Sequence, residues 1–375
     1  MESTIIKDIE EKSIVWFKHS NQYVIVEKIA AFIIEKLSKK ETIQEIAKEL
    51  EERLKIPSKE AIRFVKDLKE QLVNPTKTAN NHQKLESPLS KVPSTFAFEK
   101  YYRMHSKVFK VAFSNEFEVS LIHPKFAHLE IKTIPKIDFF FQVFNDSQHT
   151  FLRLDNAFIG SWSQEDIHYF QGKFSMKIIE CIYEKREEKW MGVFHASAIN
   201  YKDEALLVLG DSGNGKSTSL ALLQTQGFQC LADDFVPIDI TKKIHTFPAG
   251  ISIKKNSLPV LLDHYPELKS AAEYQYTRLN KIVRYLPPKN SNYHTNYPCK
   301  ALVFIKYDAN IDCDISKISK LEAFEQLVPD SWISPVEENA HIFLTWFSSL
   351  PCYQLTYSNN EMMYDAIKRI FDNEV

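Results

Sequence analysis

Apolar residues in the first seventy positions recur with two different periods. Residues 14–19 and 22–26 alternate around Ser20-Asn21, the two-residue spacing of a β-hairpin. Past residue 27 the period lengthens to that of a helix. Ile29, Ala30, Ile33 and Leu37 share one face of 27–37; Ile46, Leu50 and Leu54 share another behind Thr42-Ile43-Gln44-Glu45, which has the form of a capping box; Ile62, Val65 and Leu68 line a third over 59–72. A hairpin with three helices predicts a compact winged-helix unit over residues 1–73. Over 74–95 the periodicity disappears among Pro75, Pro88 and Pro93, as expected of an exposed linker.

Beyond that boundary, residues 108–113, 118–122, 139–143 and 151–154 read as strands rich in aromatic side chains. Ser163-Gln164-Glu165-Asp166 then caps a long helix that turns Ile167, Phe170, Phe174, Ile178 and Ile182 inward. These elements form a strand-rich stretch over 96–185. From 186 to 375, strands at 192–199, 205–209, 228–232, 301–307 and 354–357 alternate with helices from Lys216 and over 361–371. That order predicts an α/β sheet layered by helices.

Charge narrows the function classes. Lys and Arg number 47 and Asp and Glu 49, so the chain has no overall footprint for nucleic acid or an anionic membrane. Residues 1–70 carry fourteen of each kind, which argues against a DNA-reading role for the winged-helix pattern. No apolar run approaches the roughly 18 residues a membrane span needs, and MESTIIKDIEEKS lacks the basic and apolar regions of a secretory signal, so a cytoplasmic location is expected. Cys181, Cys230, Cys299, Cys313 and Cys352 are odd in number, widely spaced and without a CxxC, which points to neither a disulfide framework nor a zinc knuckle.

The chain has only 8 glycines, and Gly210, Gly213 and Gly215 fall within six positions. They belong to Gly210-Asp211-Ser212-Gly213-Asn214-Gly215-Lys216-Ser217, which matches GxxxxGK[ST] and follows the apolar strand at 205–209. Glycines there let successive amides turn inward around phosphate oxygens, and the following helix adds its positive end. A nucleotide is the expected ligand, held by the loop through Thr218, with Lys216 on the β- and γ-phosphates and Ser217 on Mg²⁺. Residues 228–232 end in Asp233-Asp234, expected one strand over from the loop, where one carboxylate would hold the metal and the other receive a hydroxyl proton. His195, in the run just upstream of the loop strand, either orients an aspartate or is an ordinary core histidine.

This constellation resembles the HPr kinase/phosphorylase group, whose catalytic core is similar to that of phosphoenolpyruvate carboxykinase. The likeness is carried by His195, the loop fifteen residues later and Ala232-Asp233-Asp234, extended by Asn280-Lys281-Ile282-Val283-Arg284-Tyr285-Leu286-Pro287-Pro288 and Leu350-Pro351-Cys352-Tyr353-Gln354-Leu355, and covers about the last 190 residues. It implies transfer of a nucleotide's phosphoryl group to a serine hydroxyl, with Asp233 and Asp234 as base and metal ligand and His195 as their support. Lys281 and Arg284 become candidates for neutralising the transferring phosphate. The family's glycine-rich signature with its glutamate has no counterpart in 247–262, where Pro248-Ala249-Gly250-Ile251-Ser252-Ile253-Lys254-Lys255 stands, which argues against HPr as substrate and against phosphorolysis. The nearer likeness is to HPr-kinase-related proteins of peptide-modification gene clusters, including kinases of lasso-peptide precursors. Residues 1–73 resemble the PqqD-type domains that hold a leader peptide as an added strand against the third helix. The resemblance therefore implies an ATP- and Mg²⁺-dependent kinase acting on a peptide or small protein, and by analogy a homo-oligomer. A nucleotide-gated peptide-binding module and a small-metabolite kinase are the rival expectations.

Overall fold

The computed structural model describes residues 4–74, 92–133, 136–146, 148–276, 281–289 and 296–375. The chain divides into two compact units, the first formed by residues 1–82 with 318–352, the second by 83–317 with 353–375. Both are built from helices and sheets, a mixed α/β protein.

In the first unit β1 (Thr4–Ile9), β2 (Lys12–Phe17) and β3 (Gln22–Glu27) form an antiparallel sheet in that order. The hairpin read from the alternation is β2–β3. β1 joins it because Ile5 and Ile9 alternate inward and Glu10 takes a left-handed turn, φ 53°. Three helices follow: α1 (Lys28–Ser38), α2 (Ile43–Leu54) and α3 (Ser58–Leu68), which runs into a π turn at Lys69–Val73. The capping box forms, with the Glu45 amide donating to Thr42 Oγ1 at 3.2 Å and the Thr42 amide to Glu45 Oε2 at 2.7 Å. Ile33, Ile46, Leu50, Ala61 and Val65 make the helical core. Leu54, on the apolar face by its spacing, is 44% exposed, because left-handed Lys55 ends the helix there. Residues 75–91, most of the expected linker, lie outside the described residues.

The second unit opens with β4 (Phe98–Met104), β5 (Lys107–Phe113), α4 (Glu116–Phe126), β6 (Phe139–Asn145), β7 (His149–Leu154), β8 (Ala157–Ser163) and α5 (Ile167–Tyr183). The strands form one sheet, β4-β5-β6-β7-β8, with only β5 and β6 parallel. Residues 118–122, expected to be a strand, belong to α4. A second capping box decides this: Asn115 Oδ1 accepts from the Glu118 amide at 3.2 Å while Glu118 reaches back to the Ser114 and Asn115 amides.

The strand expected over 192–199 is two strands, β9 (Trp190–Phe194) and β10 (Ser197–Tyr201), broken at His195-Ala196. Next come β11 (Glu204–Leu209), α6 (Lys216–Thr225), β12 (Gln229–Asp233), β13 (Val236–Asp239), β14 (Lys243–His245), β15 (Ile251–Lys254), α7 (Leu258–Leu261), β16 (Tyr274–Tyr276), β17 (Lys281–Leu286), β18 (Asn296–Tyr307) and β19 (Cys313–Lys317). Then α8 (Lys320–Leu327), β20 (Trp332–Ile333) and α9 (Glu337–Ser349) return to the first unit, where Tyr23 meets Phe324 and Phe343 edge-on and Lys18 pairs with Glu337 at 2.9 Å. β21 (Cys352–Tyr357) and α10 (Asn360–Phe371) complete the second unit.

In the large sheet of that unit the order is β12-β10-β11-β18-β14-β13-β9, with β21 also on β18 and β19 on β21. β11 and β18 are parallel, so their C-terminal ends open on one edge, where ligands of α/β sheets ordinarily bind. β15, β17 and β16 form a small antiparallel sheet. The five cysteines are free thiols, four of them buried. Among the described residues no helix is long and apolar enough to cross a membrane.

Candidate functional site

The loop between β11 and α6 takes its shape from its glycines. Gly210, Gly213 and Gly215 have φ of 135°, 108° and 95°, a region in which L side chains are strained. At Gly210 space forbids a side chain as well, since a Cβ would stand 2.5 Å from the Ile305 carbonyl oxygen of β18. Ser219 Oγ donates to the Gly215 carbonyl at 2.8 Å and also meets Tyr357 Oη at 2.8 Å, while the Tyr307 amide holds the Asn214 carbonyl at 3.2 Å. No side chain caps α6, so its first amides and the helix's positive end face the loop's concavity.

Two strands away, with β10 between, β12 brings the acids to the same edge; the expectation of one strand is corrected by this intervening strand. Asp233 ends β12 and is 2% exposed. Its carboxylate accepts from Ser197 Oγ at 2.6 Å, from Ser217 Oγ at 2.8 and 3.1 Å, and from the Ser252 amide at 3.0 Å. Burial raises its pKa, aided by the charge of Asp234 and opposed by these hydrogen bonds. Asp234 follows in the left-handed region, φ 67°, and the turn points it elsewhere. Its Oδ1 lies 3.0 Å from His195 Nδ1 and its Oδ2 3.2 Å from Lys125 Nζ. Although its side chain is 43% exposed, partial loss of hydration works to raise this carboxylate too, but the Lys125 ammonium and the His195 imidazole outweigh it and hold it well below the usual range. His195 reaches it because the chain breaks between β9 and β10 at that residue.

Lysines gather on the loop. Lys216 is nearly buried and its Nζ donates to the carbonyls of Gly210 and, at 3.3 Å, Asp211. Burial lowers its pKa, and the charge of Lys254 lowers it further against the pull of Asp233 and Asp234. Lys254 Nζ donates to Ser212 Oγ at 3.1 Å. β15 thus serves both groups, the acid through the Ser252 backbone amide and the loop through the Lys254 side chain.

The structure thus brings together His195, the loop, Lys216, Ser217, Asp233 and Asp234. Thr218 turns its hydroxyl to Ser257 Oγ at 2.7 Å. Arg284 is occupied elsewhere, donating to the Leu268 and Lys269 carbonyls and pairing with Glu273 at 2.8 Å. The Lys281 side chain lies outside the described residues. Four contributors were not read from the sequence. Lys125 sits over a hundred positions from its partner with no local signal, whereas Ser197, Ser252 and Lys254 lie in segments already singled out, His195–Ile199 among them, and needed only the sheet order. No protein-family model and no curated protein matches the chain.

Among the described residues no three His, Cys, Asp or Glu side chains form a ready-made cation site. Ser217 and Asp233 nonetheless offer a hydroxyl and a carboxylate in contact, the hard oxygen donors that suit Mg²⁺ when waters and phosphate oxygens complete its shell. A buried carboxylate with a raised pKa is a group that a divalent cation would relieve.

Proposed function

We propose that the chain is an ATP- and Mg²⁺-dependent kinase related to the HPr kinases, phosphorylating a serine or similar hydroxyl of a peptide or small protein. The proposal rests on one observation above the rest: the loop's Ser217 touches Asp233, while the adjacent Asp234, differently polarised, is presented with His195 and Lys125. Pairs of acids whose surroundings drive their pKa values apart are suited to divided roles.

In this reading Asp233 and Ser217 hold the metal, which when bound offsets the charge of the phosphates. The loop amides and Lys216 hold the polyphosphate, Lys216 exchanging carbonyl partners for phosphate oxygens, with Lys254 approaching from β15. The acceptor oxygen forms its bond to the γ-phosphorus as the bond to the β,γ-bridging oxygen breaks, the electron pair leaving on ADP. The hydroxyl proton passes to Asp234, which His195 and Lys125 keep ionised and oriented. A carboxylate is a weak base, but transfer late in a loose transition state accommodates that.

The first unit, resembling PqqD-type domains, would capture the substrate. Its sheet has two edges, β1 and β3, and a groove of about 620 Å³ lies between β1 and α1, lined by Ile6, Asp8, Phe32, Glu35 and Lys39. That is room for part of an extended peptide added as a strand, here beside the first helix rather than the third that the resemblance implies. Incubating the full chain with γ-labelled ATP, Mg²⁺ and serine-containing precursor peptides tests the reaction. Label on a peptide hydroxyl, lost in Asp234→Asn, is expected; nucleotide binding with no transfer to any acceptor would leave a nucleotide-gated binding module instead.

A further inference from the structure

We infer that Tyr307 is a stacking platform for the base of the nucleotide, the larger purines ahead of pyrimidines. The inference rests on the nucleotide reading of the loop and adds to it the part of the ligand that the phosphate site cannot read. β11 has two neighbours in the sheet, β10 on the side of the acids and β18 on the other. A polyphosphate seated in the loop with its terminal phosphate toward Asp233 and Asp234 therefore directs its nucleoside toward the end of β18. Tyr307 stands there, the last residue of that strand and 53% exposed, although aromatic side chains of its size are mostly covered in this unit.

Its position is fixed from several sides. The Tyr307 amide donates to the Asn214 carbonyl of the loop at 3.2 Å, and its Cβ would lie 3.8 Å from a Cβ built on Gly215, which puts the ring beside the start of α6. Tyr357 meets it nearly perpendicular, 86° at 5.8 Å between centroids, and is itself tied to Ser219. The following turn is pinned by the Asp308 amide on the Tyr357 carbonyl at 2.9 Å and by Asp308 Oδ1 accepting from the Asn310 amide at 3.1 Å. An exposed ring held rigidly at the mouth of a phosphate loop loses little entropy when a base stacks on it.

The experiment compares Mg·ATP with Mg·tripolyphosphate by calorimetry on the full chain, wild type, Tyr307→Ala and Tyr307→Phe. Tyr307→Ala is expected to weaken ATP by about tenfold or more while leaving tripolyphosphate unchanged, and Tyr307→Phe to bind both as wild type does. Unchanged ATP affinity in Tyr307→Ala would overturn the inference. So would equal losses for the two ligands, which would mean that the residue acts only through the shape of the loop. A wild type that prefers ATP no more than tripolyphosphate overturns the base platform alone; one that takes up neither overturns the nucleotide reading and this inference with it.

Discussion

Asp233 and Asp234 show how much one backbone dihedral decides. With Asp234 in the left-handed region, the chain turns so that one carboxylate enters a ring of three serine donors and the other meets the Lys125 ammonium and the His195 imidazole. Their contributions to stability then run in opposite senses with pH. Asp234, held low, stabilises the fold above the unfolded value of 3.8 and loses that contribution as pH falls below it. Asp233, held high by burial, binds its proton more tightly folded than unfolded, so its contribution worsens as pH rises from 3.8 through the raised value. Asp233→Asn should therefore gain in melting temperature relative to wild type as the pH is raised from 4 toward 8, and added Mg²⁺ with ATP should erase that gain by stabilising the wild type alone. A difference between the two proteins that does not vary with pH would contradict the assignment. The adjacent acids were legible in the sequence as a pair beside a phosphate loop. Which acid would take which role was not, because their different surroundings depend on Lys125, Ser197 and Ser252, which reach them through the sheet rather than along the chain.

Among the elements, those with strong local signals were readable. The Thr42–Glu45 box starts α2 as its spacing implies, and the glycine-rich junction of β11 with α6 forms where the motif places it. α4 was missed although Asn115-Glu116-Phe117-Glu118 carries a cap, because Glu118, Val119, Ser120 and Leu121 also alternate like a strand and the helix contains Pro124. In the run over 192–199 the polar residues His195 and Ser197 stand two apart, as they would on one face of a continuous strand, and give no sign of the break at His195; that break exists because β9 belongs beside β13 and β10 beside β11 and β12. The loop's dependence on glycine can be measured against an internal control. Gly210→Ala forces a Cβ onto the Ile305 carbonyl and strains φ, so it should lower the melting temperature and abolish nucleotide binding. Gly172→Ala, inside α5 with nothing within 4 Å of its Cβ, should add about 0.5–1 kcal/mol and leave binding intact. Equal effects of the two substitutions would mean that the loop does not need its conformation.

At the scale of the molecule, the first unit is not the contiguous module that its pattern implied. Residues 318–352 belong to it, and Phe324 and Phe343 of α8 and α9 pack on Tyr23 of its sheet. Apolar periodicity locates a helix but does not name the sheet it covers, which is why an excursion of the chain from the second unit to the first left no mark in the sequence. In the second unit the alternation of strands and helices did imply a layered α/β arrangement, and the parallel pair β11–β18 places the loop at the sheet edge where ligands bind. The central claim is that this edge holds a nucleoside triphosphate through Lys216 and the loop amides, with Asp233 and Ser217 taking the metal. Calorimetric titration of the full chain with ATP, with and without Mg²⁺, in wild type and Lys216→Met tests it most directly. Saturable binding that strengthens with Mg²⁺ and falls at least tenfold in Lys216→Met, a loss of about 1.4 kcal/mol, is the expected result. A wild type that takes up no ATP under either condition, or a Lys216→Met variant that binds it equally well, would contradict the account.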